Sequence, residues 1–421
     1  MKKHLLYAYL ISMPFTSAFC ISIIFSWPLI ISSCCTIYLI IYLLVGNKIV
    51  LRTYKPLIII TLFLLCTAFS FFINNIIISS SYSIFSKAQN HFFAYFASII
   101  NFYISSLFFL NINKKSNDTI NILKTITWVL FFSSTLAIVE FISKNLLGID
   151  FDKIIPHPSV EKMNALALGD IFKSIRARGL AEEPGHFAFM INLFLPISFY
   201  YLFFSGYCKL KIQTKILMCI SFALALLFTF STAAFFALPT SIFLSFIVFR
   251  RELKKYLLSI TIVFCAFIGF ILILDNYFPI LTQLLLDIDQ KANNSGSMDD
   301  RSMRSYLFQS YFGKAPILNK IIGYGPSGYL RAGLEADSES FLVLYQTLTF
   351  ETGILGILIF SSFLYTISLY ARKLPFPFNF FLFLSFILGI VHYFFISNYW
   401  YPWFWFICAF ITHLNSLRKD D

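Results

Sequence analysis

Arg176-Ala-Arg-Gly-Leu-Ala-Glu-Glu-Pro-Gly-His-Phe-Ala-Phe189 packs two Arg, two Glu and one His into its first eleven residues and runs into an apolar stretch from Phe187 to Phe204. Charged residues are only 12% of the chain, so this concentration stands out. An apolar stretch of that length has the size of a membrane span. Charge held at the mouth of a span is costly and commonly functional. Gly179 and Pro184-Gly185 put turn chemistry among the charges, so the stretch reads as a shaped polar loop ending at a helix start. Glu183 precedes Pro184, which pushes its backbone extended and aims the carboxylate at the membrane surface. The competing reading is an interfacial loop whose Arg and Glu neutralise each other.

Composition around this stretch defines the class. Hydrophobic residues make up 58% of the chain and mean hydropathy is +0.78, against roughly half apolar and a quarter charged in soluble domains. The 54 Phe suit lipid-facing helices. The expected fold is an all-α polytopic membrane protein, one integral membrane domain over residues 1–421. Twelve apolar segments approach spanning length: 4–25, 28–46, 56–79, 91–111, 123–143, 187–205, 215–230, 232–249, 256–274, 347–370, 378–396 and 400–415. Met1-Lys-Lys before an apolar run resembles a signal peptide, and Ser17-Ala18-Phe19-Cys20 a lipoprotein box. Phe before Cys is wrong for that box and the run continues to Trp27, so an uncleaved first span is expected.

Positive residues order these segments. Alternate gaps hold Lys2/Lys3, Lys48/Arg52/Lys55, Lys114/Lys115/Lys124, Lys209/Lys211/Lys215, Arg250/Arg251/Lys254/Lys255, Arg372/Lys373 and Arg418/Lys419; the short gaps between hold only Lys87. The positive-inside rule then places both termini in the cytoplasm and assigns the net charge of +12 to cytoplasmic loops rather than to nucleic acid. Two long gaps, 144–186 and 275–346, fall outside, and function is expected there. None of the eight Cys lies in either loop, so no disulfide is expected in them. There is no convincing internal repeat, which weakens a transporter built from two similar halves.

Several shorter patterns carry chemistry. Arg176 and Arg178 can present two planar forks to a phosphate-bearing ligand, with Glu182, Glu183 and His186 beside them. Arg301 and Arg304 would share one face of a helix, unless they simply solvate its end. Gly323-Tyr-Gly-Pro-Ser-Gly328 matches a dinucleotide fingerprint literally, but it lacks a βαβ context and carries Pro326 inside the turn. These glycines are read as a tight turn allowing close backbone approach. Asp287-Ile-Asp289 resembles a metal motif of nucleotide-sugar transferases but lies on the outer side, away from such donors. Glu351 is read at the start of a span, where helix capping is the simple explanation; Gly353 and Gly356 after it would let helices approach closely. Glu140 is read as interfacial. His4, His91, His157, His392 and His413 are assigned no role, and no Cys or His spacing fits a metal.

Three stretches together resemble the O-antigen polymerase and ligase superfamily of bacterial inner-membrane enzymes. Arg178-Gly-Leu-Ala-Glu-Glu-Pro184 is similar to an R-G-x-x-x-E-P signature at a helix mouth. Arg301 or Arg304 followed by Gly323-Tyr-Gly325 is similar to its R…G-x-G element. Ser340-Phe-Leu and Glu351-x-Gly-x-x-Gly356 are similar to its last loop-to-helix element. The resemblance covers about residues 170–360. It implies a glycosyltransferase-C-like membrane fold with two enlarged periplasmic loops. It also implies transfer of a glycan from undecaprenyl diphosphate to a hydroxyl of the next lipid-linked repeat. Membrane lipid and a chain-length regulator protein are the implied partners, and no cofactor is implied.

On that resemblance Glu183, Arg178 and Arg301 are the expected catalytic residues, with Glu183 as base and Glu182 as its substitute. Arg176, Glu182, His186, Arg304, Gly323, Gly325 and Glu351 are the expected substrate contacts, and the apolar helices offer a lateral groove for polyprenyl tails. Ligases of the superfamily usually carry His near Ser338, whereas Asp337-Ser-Glu-Ser340 has none, which favours a polymerase. The alternatives are a ligase acting on lipid A-core, a lipid-linked oligosaccharide flippase, and a scaffold of a glycan-assembly complex.

Overall fold

Among the described residues, most of the expected apolar runs are helices. The computed structural model describes residues 2–20, 25–47, 54–77, 82–112, 116–158, 176–254, 269, 296–330, 332, 334 and 341–418. The helices used below are α1 Lys2–Ser12, α2 Trp27–Leu44, α3 Lys55–Phe72, α4 Tyr82–Ala97, α5 Ser105–Ile112, α6 Ser116–Asn145, α7 Pro184–Phe203, α8 Ile212–Phe228, α9 Thr232–Val248, α10 Gly296–Lys314, α11 Ile317–Ile322, α12 Leu344–Arg372, α13 Phe378–His392 and α14 Pro402–Leu417. A π-helical stretch, Ser98–Ile104, joins α4 to α5. Six helical stretches among the described residues have the length and apolar composition to cross a membrane: Trp27–Leu44, Lys55–Asn75, Phe85–Ile112, Asp118–Asn145, Pro184–Phe203 and Leu344–Arg372. Ile212–Phe228, Thr232–Val248 and Phe378–His392 are shorter apolar helices. The expected span 256–274 and Asp287/Asp289 lie outside the described residues, apart from Gly269.

The surface identifies the solvent these helices are built for. On α3 the exposed large apolar side chains are Ile58, Leu62, Leu65, Phe69 and Phe72, beside Lys55 at the helix start and Thr61. They recur every three or four residues and so form one apolar face. A water-soluble helix would put charge there; a lipid-facing helix would not. The interior is aromatic, and α14 is its axis: every residue from Pro402 to Ser416 is buried. Around it, α12 lies along α3, α13 packs on α7 and α9, α6 packs on α7 and α8, and α1 sits against α2 and α6. This is a multi-pass α-helical membrane protein.

The first segment departs from expectation. Instead of a continuous helix over 4–25, α1 ends at Ser12, and Met13–Cys20 is non-helical. Pro14 explains the stop, because it has no N–H to continue the ladder and its ring clashes with the preceding turn. Eleven residues span about 16 Å, roughly half the hydrocarbon thickness. The unwound half is tied down by polar bonds: Ser17 N and Ala18 N donate to the Leu180 carbonyl, and the Trp403 indole donates to the Met13 carbonyl.

A second break lies in α12. Gly353 has φ +68 inside the helix, and Gly323, at φ +80, ends α11 against it. A Cβ at Gly323 would overlap the Glu351 backbone, and one at Gly353 would overlap the Ile321 carbonyl. The glycine turn is thus the close approach expected of it, made to α12. Gly356 serves differently from expectation, clearing the Thr352 side chain of its own helix rather than admitting another.

Candidate functional site

Hydrogen bonds gather the ends of α1, α3, α6, α8 and α13 and the starts of α7, α9 and α14 at one end of the bundle. The Arg176–His186 loop lies there. Glu140, buried in α6, accepts from the backbone N–H groups of Arg178 at 3.0 Å and Gly179 at 2.7 Å, and from Lys144 Nζ at 2.9 Å. Arg178 Nη2 reaches Asp152 at 2.7 Å, and Lys144 reaches the same carboxylate oxygen at 2.9 Å. Two acids and two bases close a neutral network in which Glu140 and Arg178 are each 1% exposed. Burial opposes the Asp152 charge, yet the hydrogen bonds from Lys144 and Arg178 outweigh it and hold that carboxyl below its ordinary value. His157 bonds Ser17 Oγ at 3.1 Å; burial, then the Arg178 charge, depress it to about 3.

This geometry separates Arg178 from Glu183, two of the expected catalytic residues. Arg178 turns inward because Glu140 and Asp152 capture it. Glu183 turns outward, its side chain 54% exposed, with extended backbone (φ −132, ψ 154) as Pro184 requires. Arg176 is partly exposed and donates from Nε to the Thr229 carbonyl at 2.8 Å. Leu180, between these charges, lines a groove of about 950 Å³ between α1 and α6, together with Ile11, Phe15, Trp128, Phe132 and Leu136, and with Tyr7, Asn121 and Lys124 near the starts of the two helices.

The loop before α14 joins this region to a second polar cluster. The Tyr401 hydroxyl donates to Glu182 at 2.8 Å and lies 2.7 Å from His186 Nδ1. With its one proton on Glu182, Tyr401 accepts from Nδ1–H, so His186 Nε2 accepts from Asn398 at 2.9 Å. Two residues away, Tyr399 stacks on Tyr95 with centroids 4.2 Å apart. Tyr95 donates to the Glu351 carboxylate, which also takes the Ser327 N–H at 2.9 Å and faces His91 Nδ1 at 3.0 Å. Glu351 stands two residues before the break at Gly353, but its carboxylate, 2% exposed within the bundle, is taken by Tyr95, Ser327 and His91 rather than by the N–H groups of a helix start.

Gly323 and Gly325 belong to this second cluster, the Gly325 N–H donating to the Glu351 carbonyl at 3.0 Å and Asn74 donating to the Gly323 carbonyl at 3.0 Å. Arg304 is partly exposed on α10, which packs Phe308 and Phe312 beside Phe341 and Phe350. The side chain of Arg301 and residues 335–340 lie outside the described ones. Sequence reading missed Lys144, Asp152, His91, Tyr95, Asn398, Tyr399 and Tyr401. Glu140 and Lys144 at i, i+4 near a span end were a visible signal. So was Asn398-Tyr-Trp-Tyr401, a polar and aromatic interruption between apolar runs.

Fold and site together define a helical membrane protein with a polar, aromatic centre at one end of its bundle. No family model matches the chain, and no curated protein does.

Proposed function

We propose that the chain is a polysaccharide polymerase: a glycosyltransferase that moves a glycan from undecaprenyl diphosphate onto a hydroxyl of the next lipid-linked repeat, at the periplasmic face of a bacterial inner membrane. One observation carries the reading. Parts of all three stretches that resemble the superfamily, the Arg176–His186 loop on one side and Gly323–Gly325 with Glu351 on the other, flank the Asn398–Tyr401 loop. The groove supports it, since a channel lined by Ile11, Phe15, Trp128, Phe132 and Leu136 suits a polyprenyl chain, with Leu180 bringing one end to the Arg176–His186 loop and Tyr7, Asn121 and Lys124 lining the other. The Lys/Arg alternation supports twelve spans with both termini cytoplasmic and loops 144–186 and 275–346 outside.

Roles follow from placement. Charge develops on the diphosphate as the glycosidic bond breaks, and arginines fixed beside it stabilise the transition state. Arg176 and Arg304, both partly exposed, take that part; Arg178 holds the loop in shape. Glu183 at the surface is placed to bind sugar hydroxyls, with Glu182 and His186 fixed behind it by Tyr401. This chemistry asks for no cofactor. A flippase would be expected to carry charge along a path through its helices, whereas the charges of this site gather at one end of the bundle. Deleting the gene and separating surface polysaccharide on a gel tests the reading. A lost ladder with one repeat retained is expected; loss of every repeat would indicate a ligase or flippase, and an unchanged ladder would remove the proposal.

A further inference from the structure

Glu351 is a carboxylate in a place where an apolar side chain would pack at lower cost. Its position is fixed from several sides. Its backbone carbonyl accepts from Gly325 N–H and from the Ser70 hydroxyl at 2.9 Å, and the helix breaks at Gly353 immediately after. What this fixed carboxylate orients is His91 on α4. Glu351 as acceptor requires the proton on His91 Nδ1, which leaves the Nε2 lone pair available. Ser327 Oγ, 3.2 Å from the same Nδ1, donates to the Lys87 carbonyl and so also accepts from the imidazole. Both neighbours demand one tautomer. Nε2 makes no hydrogen bond among the described residues, and the His91 side chain is 21% exposed where Glu351 is 2%. The ring packs against Tyr95 and Tyr399, with centroids 5.5 and 5.9 Å away. Tyr399 is two residues from Tyr401, at most about 7 Å along the backbone, so the imidazole borders the loop that holds Glu182 and His186.

We propose that His91 is the general base for the acceptor hydroxyl, with Glu351 and Ser327 as positioning residues; this rests on the polymerase reading. Nε2 takes the hydroxyl proton as the acceptor oxygen bonds to the anomeric carbon. The bond from that carbon to the diphosphate oxygen breaks, its electron pair leaves with the lipid diphosphate, and the imidazolium returns its proton to water. Sequence reasoning favours Glu183 for this step, but that carboxylate is an exposed group whose neighbours are the neutral His186 imidazole, 3.9 Å away, and the Arg176 charge. His91 has the orienting carboxylate that a base requires.

The test uses the full chain in phospholipid vesicles with an undecaprenyl-diphosphate-linked repeat from the source strain. His91→Gln and His91→Asn should lower kcat on the order of 10²- to 10⁴-fold, with KM for the lipid-linked repeat little changed. Glu351→Gln, which keeps the volume but no longer fixes the tautomer, should lower kcat without raising KM. Diethyl pyrocarbonate acylation of His91 in the unmutated chain should abolish turnover, and the lipid-linked repeat should slow the acylation. This arm decides the matter if the variants do not fold. Normal kcat in His91→Gln, or turnover surviving acylation of His91, would overturn the dyad while the polymerase stands. An unmutated chain that never joins repeats would instead overturn the reading beneath it.

Discussion

Arg178 shows how one residue's surroundings decide what its loss does. It is among the largest fully buried side chains and, with Lys144, neutralises Glu140 and Asp152. Removing one partner of a buried ion pair costs about 3–5 kcal/mol, because the remaining charge is left uncompensated. Arg178→Ala should therefore lower the melting temperature in detergent and deplete the protein from membranes. Arg178→Lys should recover only part, because an ammonium lacks the planar fork. Arg176→Ala should keep the fold and lose polymer. An Arg178→Ala chain as stable as the parent would contradict these assignments. Acid should act on the same loop. Unfolded, His157 would take a proton near pH 6.5; folded, it resists until about 3, and Asp152 holds its charge below the usual carboxylate range. In both cases the unfolded state binds more protons, so stability falls as pH drops below about 6.5, through His157 first and Asp152 later. Proteolysis between residues 150 and 182 should be faster at pH 5 than at pH 7.5, and equal rates would contradict the assignment.

At the scale of elements, the broken helices hold the site together. Gly323 and Gly353 bring α11 and α12 into backbone contact, at φ values of +80 and +68 where a side chain is strained and blocked. Gly353→Ala should destabilise by more than about 1 kcal/mol, since φ and space are both wrong. A differential-scanning measurement checks it, and an unchanged melting curve would show that the contact yields. Much of this architecture is legible from the chain alone. Spans such as Lys55–Phe72 and Leu344–Arg372 announce themselves because a bilayer demands long apolar helices. The stop at Ser12 is harder to see, since the residues after Pro14 stay apolar and hide the break in the ladder. The site is only half legible. The Arg-Glu loop and the paired glycines are visible as clusters, but Glu140 meets the loop through backbone N–H groups that no side-chain pattern encodes. His91 and Glu351, far apart in sequence, meet only through tertiary packing.

At the scale of the whole molecule, apolar faces turned outward describe a protein built into a membrane, with the Glu140–Arg178–Lys144–Asp152 network at one end of its bundle. Reporter fusions after Lys211 and Lys419 should read as cytoplasmic, and one after Ala292 as external. A reversed signal at one of the three would break the twelve-span order, and reversal of all three would move the site to the cytoplasm. The central claim is chemical, and it is tested most directly with purified protein in vesicles, given an undecaprenyl-diphosphate-linked repeat in the presence of EDTA. The proposed mechanism, in which arginine rather than a metal ion carries the leaving charge, predicts a ladder of lipid-linked polymers on a gel, with free undecaprenyl diphosphate released for each bond formed. Repeats that stay single, or a ladder that forms only when a divalent ion is restored, would contradict it.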